Sequence, residues 1–579
     1  MALSTKHVLL LSCLSIPCAW PRSATAQWIP GGVPVNQAAN DQMACTLAPD
    51  GTAGAIITWA DFRAGNRSDI YAQHILASGV TDPAWPAEGR AICTATGDQV
   101  DPTIVSDDAG GAIITWFDFR GGATADIYAQ RVMASGAVDP AWPADGSELC
   151  TAAGDQQQPK IETDGAGGAI VTWFDQRGTD LDIYAQRVLA SGIVDPTWPS
   201  NGRALCTASG DQSNAALVTD GAGGAIVTWF DLRGSNNDIY VQRVLASGAL
   251  DPAWPVDGRA LCTAAGDQWD PTITSDGASG AIVTWFDHRD GPTPDIYAHR
   301  VLASGAVDPA WPVGGRDLCL ANGDQLDPTI ASDGAGGAIV TWFDLRGGSS
   351  PDIYAQRVLA SGAVDPSWPL NGLALCSAAG DQLDPTIVSD GANGAIVAWF
   401  DFRDGPGSDI YAQHVLASGA VDPPWPVNGR ALCIAANDQH DPVIISDGAG
   451  GALVSWIDFR DGSKSDVYAQ RVRSNGAIVG VHPFEGHRFK LFQPSPNPGH
   501  SAIVLTFQLP SSRRVDIQVL DLAGRRVRDL VVELEYPAGT HSIRWDGRDA
   551  AGTPVASGVY LIRMSVGIES LTRRVVLFQ

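Results

Sequence analysis

The sequence lacks most of what a helical or nucleic-acid-binding protein needs. Only four of its 579 residues are lysines and only four are methionines. No long segment of helix-forming residues is free of Gly or Pro, which excludes a helical body. After the N-terminal segment no run approaches the ~18 apolar residues of a membrane-spanning helix. Basic charge is scarce: 37 Lys and Arg stand against 64 Asp and Glu, a formal charge of −27. The part from Glu485 onward carries 12 Lys and Arg against 9 Asp and Glu, which leaves the preceding body at −30. An acidic body repels phosphate backbones, so no nucleic-acid partner is expected. Catalytic signatures are missing too. There is no HExxH, GxSxG, Cys-x-x-Cys or phosphate-cradling loop.

What is present is glycine, proline and tryptophan, 64, 37 and 19 residues respectively, the composition of a turn-rich all-β chain. The opening MALSTKHVLLLSCLSIPCAWPRSATAQ places Lys6 before an apolar run and ends in the small-x-small site Ala24-Thr25-Ala26. This predicts a signal peptide over residues 1–26 and a bacterial protein that is secreted or held at the cell surface. Cleavage before Cys13, as in a lipoprotein, is the alternative, and the short apolar run ahead of it argues against that.

One phrase dominates the rest. Its tryptophan recurs as Trp59, Trp116, Trp173, Trp229, Trp285, Trp342, Trp399 and Trp456, at intervals of 56 or 57 residues. Each copy divides into four short strands, in the sixth copy DPTIASD, AIVTWFD, DIYAQRVLASG and LALCSA. Four strands at a fixed period predict a β-propeller. The last copy lacks its fourth strand, and the missing piece stands at the other end of the chain. QWIPGGVPVNQAANDQ, from Gln27, aligns without a gap with AWPVDGRALCTAAGDQ, from Ala253. The reading is an eight-bladed β-propeller over 27–480, with the N-terminal strand closing the last blade and so leaving no open edge. A linker at 481–493 and a small Ig-like β-sandwich at 494–579 follow.

Within the repeat, Trp342, Asp344, Arg346, Asp352 and Tyr354 read as structural. Asp and Arg at this spacing can bridge bidentately across a hairpin, and Asp344, Arg346 and Asp352 are expected to hold it together. A carboxylate beside an arginine is a poor calcium ligand and no Asp-x-Asp-x-Asp-Gly loop occurs. No cofactor and no metal ligand is therefore assigned, with calcium as the alternative. In SDGAGG the Asp caps a tight turn whose glycines supply positive φ. It resembles the Asp-box of sialidases, but nine residues separate Asp333 from Trp342 and no activity is carried over. In GDQxDP the two Asp are expected to organise the turn between blades. Cys93, Cys150, Cys206, Cys262, Cys319, Cys376 and Cys433 hold one equivalent position each, too far apart for disulfides and suited to small buried side chains. Departures from the repeat, namely His74, His414, His299, His288 and Trp269, fall in different blades and read as drift.

The tail is more specific. PSPNP from Pro494, VDIQVLDLAGRRVRDL from Val515, PAGTHSIRWDGRDAAGTPVASGVYLIRM from Pro537 and the terminal RRVVL resemble the C-terminal sorting domains of type IX secretion cargo and the FlgD-like Ig-like domain of flagellar hook-capping proteins. The resemblance implies a seven-stranded sandwich that partners the outer-membrane secretion machinery; many such tails end near a Lys, where Arg573 and Arg574 stand here. The body resembles secreted bacterial repeat propellers of unassigned activity. The expectation that follows is a non-enzymatic propeller presenting a surface for a glycan or a surface protein. The alternatives are a multivalent lectin with sugar pockets between blades lined by Trp and acidic residues, and a glycoside hydrolase or polysaccharide lyase of the propeller type.

Overall fold

The structure is a computed structural model and describes residues 28–478, 490–499, 502–509, 513–522, 524–537, 539–566 and 569–578. The expected signal peptide and most of the expected linker lie outside the described residues. Two compact units divide the chain, Met1–Val481 and His482–Gln579. Among the described residues there are strands and turns and no helix, so none is long and apolar enough to cross a membrane.

The first unit contains eight four-stranded antiparallel sheets among its described residues. The sixth is representative, with strands Gln325–Ser332, Ala338–Asp344, Asp352–Val358 and Leu373–Cys376 in that order. Its second strand, AIVTWFD, is buried at every position because neighbouring sheets cover both of its faces. Burial of each such aliphatic contributes about 1.5–3 kcal/mol. The strands turn where the sequence can turn. Asp333 accepts the Ala335 and Gly337 amides through Oδ1, both at 2.8 Å, and a Cβ on Gly337 would meet the Val358 carbonyl at 2.3 Å. Gly372, at φ +96°, lets the chain pass over the Trp342 ring, which a Cβ would strike at 2.8 Å.

The eighth sheet consists of Gln439–Ser446, Ala452–Asp458 and Asp466–Val472, completed by Val33–Asn36 from the other end of the chain. Val33 pairs with Ala469, Pro34 with Tyr468 and Asn36 with Val467. Each first strand packs beside the first strand of the next sheet, and that of the first sheet, Gln42–Pro49, also packs against the eighth. Hydrophobic clusters fill every such seam. Trp342, for example, packs with Ile282, Ile296 and Cys319 of the preceding sheet.

The second unit carries a three-stranded sheet, Lys490–Leu491, Ile503–Leu509 and Gly539–Trp545, and a four-stranded one, Arg526–Tyr536, Arg513–Leu520, Gly558–Val566 and Glu569–Leu577. Leu505, Phe507 and Trp545 from the first share a core with Ile517, Val519, Ile562 and Met564 from the second. Alternation of apolar and polar residues along Arg513–Leu520 makes this possible, since every second side chain points inward.

Candidate functional site

Trp342, Asp344, Arg346 and Tyr354 come together as one stack. Arg346 donates from Nε to Asp344 Oδ1 at 2.8 Å and from Nη2 to Oδ2 at 2.6 Å, and Trp342 Nε1 donates to the same Oδ2 at 2.8 Å. The guanidinium lies 3.8 Å over the Tyr354 ring, and Tyr354 stacks on Trp342 with centroids 6.5 Å apart. Nη2 also reaches the Asn371 carbonyl at 2.7 Å and Cys319 Sγ of the preceding sheet at 3.1 Å. Asp344 and Trp342 are both fully buried, and the Asp344 carboxylate is satisfied inside the protein by Arg346 and Trp342.

Asp352 takes no part in the bridge, contrary to expectation. It opposes Asp344 in the backbone register, and two carboxylates facing each other repel. Burial, then Asp344, pushes its carboxyl up to about 6. The cysteines are buried and unpaired, and burial raises the Cys319 thiol to about 12. The second Asp of GDQxDP also departs from expectation. Asp327 sits at a bulge in the first strand, where the register shifts between Leu326 and Thr329, and its φ is +50°.

That bulge position recurs on all eight first strands as Ala44, Asp101, Gln158, Asn214, Asp270, Asp327, Asp384 and Asp441, each at positive φ between 46° and 53°. Asp327 is pushed up to about 6 by burial, then by Asp270 and Asp384. Asp384 is raised by burial and by Asp441, and Asp270 by burial against the opposing hydrogen bond from Asn214. These carboxylates therefore share one field.

A cavity of about 330 Å³ opens among the first four of these strands, lined at this level by Ala44, Asp101, Gln158, Lys160 and Asn214. Its asymmetry comes from the third sheet. Where other first strands read QLDPTIAS or QVDPTIVS, this one reads QQQPKIET, Gln156–Thr163. Elsewhere the threonine of this strand stitches neighbours together: Thr103 Oγ1 donates to the Pro159 carbonyl at 3.2 Å and Thr329 Oγ1 to that of Pro385 at 2.9 Å. Lys160 replaces that threonine. Although exposed to the cavity, it is ringed by protein, and burial pulls its ammonium below the usual lysine range. Asp101, which it faces across the seam, is raised by burial despite the lysine. Desolvation outweighs their attraction, so both are driven towards neutral forms.

Two residues further along the same face is Glu162, at a position where Val105 and Val218 pack into seams. Burial lifts its carboxyl to about 6. A raised carboxyl at Glu162, a lysine lowered by burial and a second raised carboxyl at Asp101 stand on two neighbouring first strands, and such groups can give and take protons. Sequence reasoning missed this group. The signals were there: Lys160 is one of four lysines in the chain, and QQQPKIET alone among the eight first strands carries a lysine and a glutamate.

Residues 498–569 match the family described as the FlgD Ig-like domain. No curated protein matches the chain. Among solved structures, an ulvan lyase of a polysaccharide lyase family is similar at 9% identity and TM-score 0.40, over 67% of this chain and 94% of that one. The GH93 alpha-L-arabinofuranosidase of Fusarium graminearum is similar at 13% identity and TM-score 0.32, over 54% and 91%. An endo-arabinase from Bacteroides thetaiotaomicron is similar at 14% identity and TM-score 0.26, over 47% and 95%. With TM-scores below 0.5, no residue or reaction is transferred from them.

Two expectations are corrected. The non-enzymatic binding or adhesion surface gives way, because the similar solved structures are glycan-cleaving enzymes. The lectin pockets between sheets fail for a steric reason. Trp342 and its equivalents are fully buried, and Trp311 and its equivalents nearly so.

Proposed function

We propose that the first unit is a closed eight-bladed propeller whose cavity is the active site of a secreted glycan-cleaving enzyme. The packing of the first sheet on the eighth supports closure, with the first strands as the wall of a central channel. The observation that carries the activity is the placement of Asp101 and Lys160 in the lining of that cavity, with Glu162 two residues beyond Lys160 on the same strand. In hydrolysis Glu162, protonated, gives its proton to the glycosidic oxygen as the bond to the anomeric carbon breaks. Asp101, ionised in the working form, takes a proton from the water that supplies the new hydroxyl. The segment before Gln27 serves as the export signal, and the Ig-like tail serves as the sorting domain that delivers the enzyme to the cell exterior.

The test is release of reducing ends from a panel of polysaccharides by the mature chain. Glu162→Gln is expected to lower turnover at least about 100-fold while leaving the fold intact. Because the acid must carry its proton, wild-type rate falls as pH rises through about 6. No turnover on any polysaccharide, or full turnover by both Glu162→Gln and Asp101→Asn, overturns the proposal.

A further inference from the structure

Trp269 is the one tryptophan among the described residues that is not buried. It stands on the first strand of the fifth sheet, Gln268–Ser275, where other sheets carry Met43, Val100, Gln157, Ser213, Leu326, Leu383 and His440. Phe230 of the fourth sheet meets the indole edge-on, with centroids 4.7 Å apart and planes at 64°. One side of the ring is thereby fixed while part of it stays open. The next residue, Asp270, accepts a 2.7 Å bond from Asn214, which lines the cavity. The partly open indole is thus linked to the cavity lining through Asp270 and its partner Asn214. An aromatic ring held in this way offers an apolar face to the C–H face of a sugar and costs little entropy on binding, since it is already ordered.

Charge around it is one-sided. The eight first strands carry Asp101, Glu162, Asp270, Asp327, Asp384 and Asp441 against Lys160 and His440, and His440 is paired with Asp441 at 3.1 Å. Asp327 is raised by burial first and then by Asp270 and Asp384, and Asp384 by burial and then by Asp441, so like charge adds to desolvation along this row. A chain of uronates or sulfates entering this field would add like charge in a partly desolvated channel. Elimination at a uronate, moreover, needs a counter-charge for the substrate carboxylate, and the first strands offer one lysine against six acids.

Resting on the glycan reading above, we infer that the cavity takes an uncharged glycan, with Trp269 as a stacking subsite at its rim, and excludes polyanionic chains. Acrylamide quenching of tryptophan fluorescence in the mature full chain reads Trp269 above the buried indoles. Neutral arabino-, xylo- and gluco-oligosaccharides are the probes, with oligogalacturonate and sulfated carrageenan oligosaccharides as the anionic arm. At least one neutral probe is expected to halve the quenching. Its affinity by calorimetry should fall about tenfold in Trp269→Ala and much less in Trp269→Phe, with both variants melting like the wild type. Anionic probes should neither protect nor bind at low salt. Tighter binding of an anionic than of every neutral probe, unchanged affinity in Trp269→Ala, or no binding by any neutral probe overturns the inference. Protection by a neutral chain without cleavage would sink the enzyme reading and leave this subsite standing. Cleavage of a uronate chain would do the reverse.

Discussion

Asn214 donates from Nδ2 to Asp270 Oδ1 at 2.7 Å, joining the first strands of the fourth and fifth sheets at their bulges. At this position five of the eight sheets carry aspartate, and Asn214 is where a neutral donor interrupts the row. Asn214→Asp should replace a hydrogen bond by a repulsive pair. We expect a loss of about 1–2 kcal/mol at pH 7.5. Most of it should be recovered at pH 5, where one of the pair takes up a proton. Melting temperature at the two pH values checks this.

Lys160 sits where threonine stitches four of the other seams. Lys160→Thr should place its hydroxyl near the Ala215 carbonyl, which occupies the place of Pro159 in the next seam. It should add about 1 kcal/mol of stability while abolishing glycan cleavage. Gain of stability with loss of activity is the pattern of a residue kept for function. A melting curve and a reducing-end assay on the same preparation decide it.

Arg346→Ala would leave Asp344 buried with Trp342 Nε1, the amide of position 346 and Cys319 Sγ as its remaining partners. Removing one partner of a buried pair costs about 3–5 kcal/mol. Arg346→Lys should recover less than half of that, because an ammonium cannot fork both oxygens and lie flat on Tyr354 as well. Hydrogen exchange of Ala338–Asp344 amides measures the local effect, with the second sheet as internal control.

Asp126, Asp182, Asp238, Asp295 and Asp352 are raised to about 6 and Asp409 to about 7, in each case by burial first. Unfolded aspartate titrates near 3.9. Between these values the folded chain binds more protons than the unfolded one, so stability falls as pH rises. The contribution is complete below pH ~4 and is lost as pH passes through 6 to 7. Asp352→Asn should therefore stabilise the protein relative to wild type at pH 8 and leave it unchanged at pH 4.5, as read by urea midpoints.

Much of the molecule was legible in the sequence. The 57-residue period, the AIVTWFD run and the displaced last strand specify four-stranded sheets and their order, because strand period and turn residues are local properties. In the tail, alternation along VDIQVLDL and the quoted motifs anticipated the two sheets and the family match. The Asp-x-Arg pair could also be read, since its partners are two residues apart.

What the sequence could not show was which residues meet across seams. Asp101 and Lys160 are 59 positions apart and face each other only because successive first strands stand side by side. Asp352 looked like a partner of Arg346 in one dimension, but its strand turns it towards Asp344 in three. Repetition by itself determined the architecture, through local hydrogen bonding and apolar patterning. Tertiary packing alone decided that one divergent strand, QQQPKIET, would bring Lys160 to a cavity it shares with Asp101, with Glu162 two residues beyond, where desolvation moves all three towards neutrality.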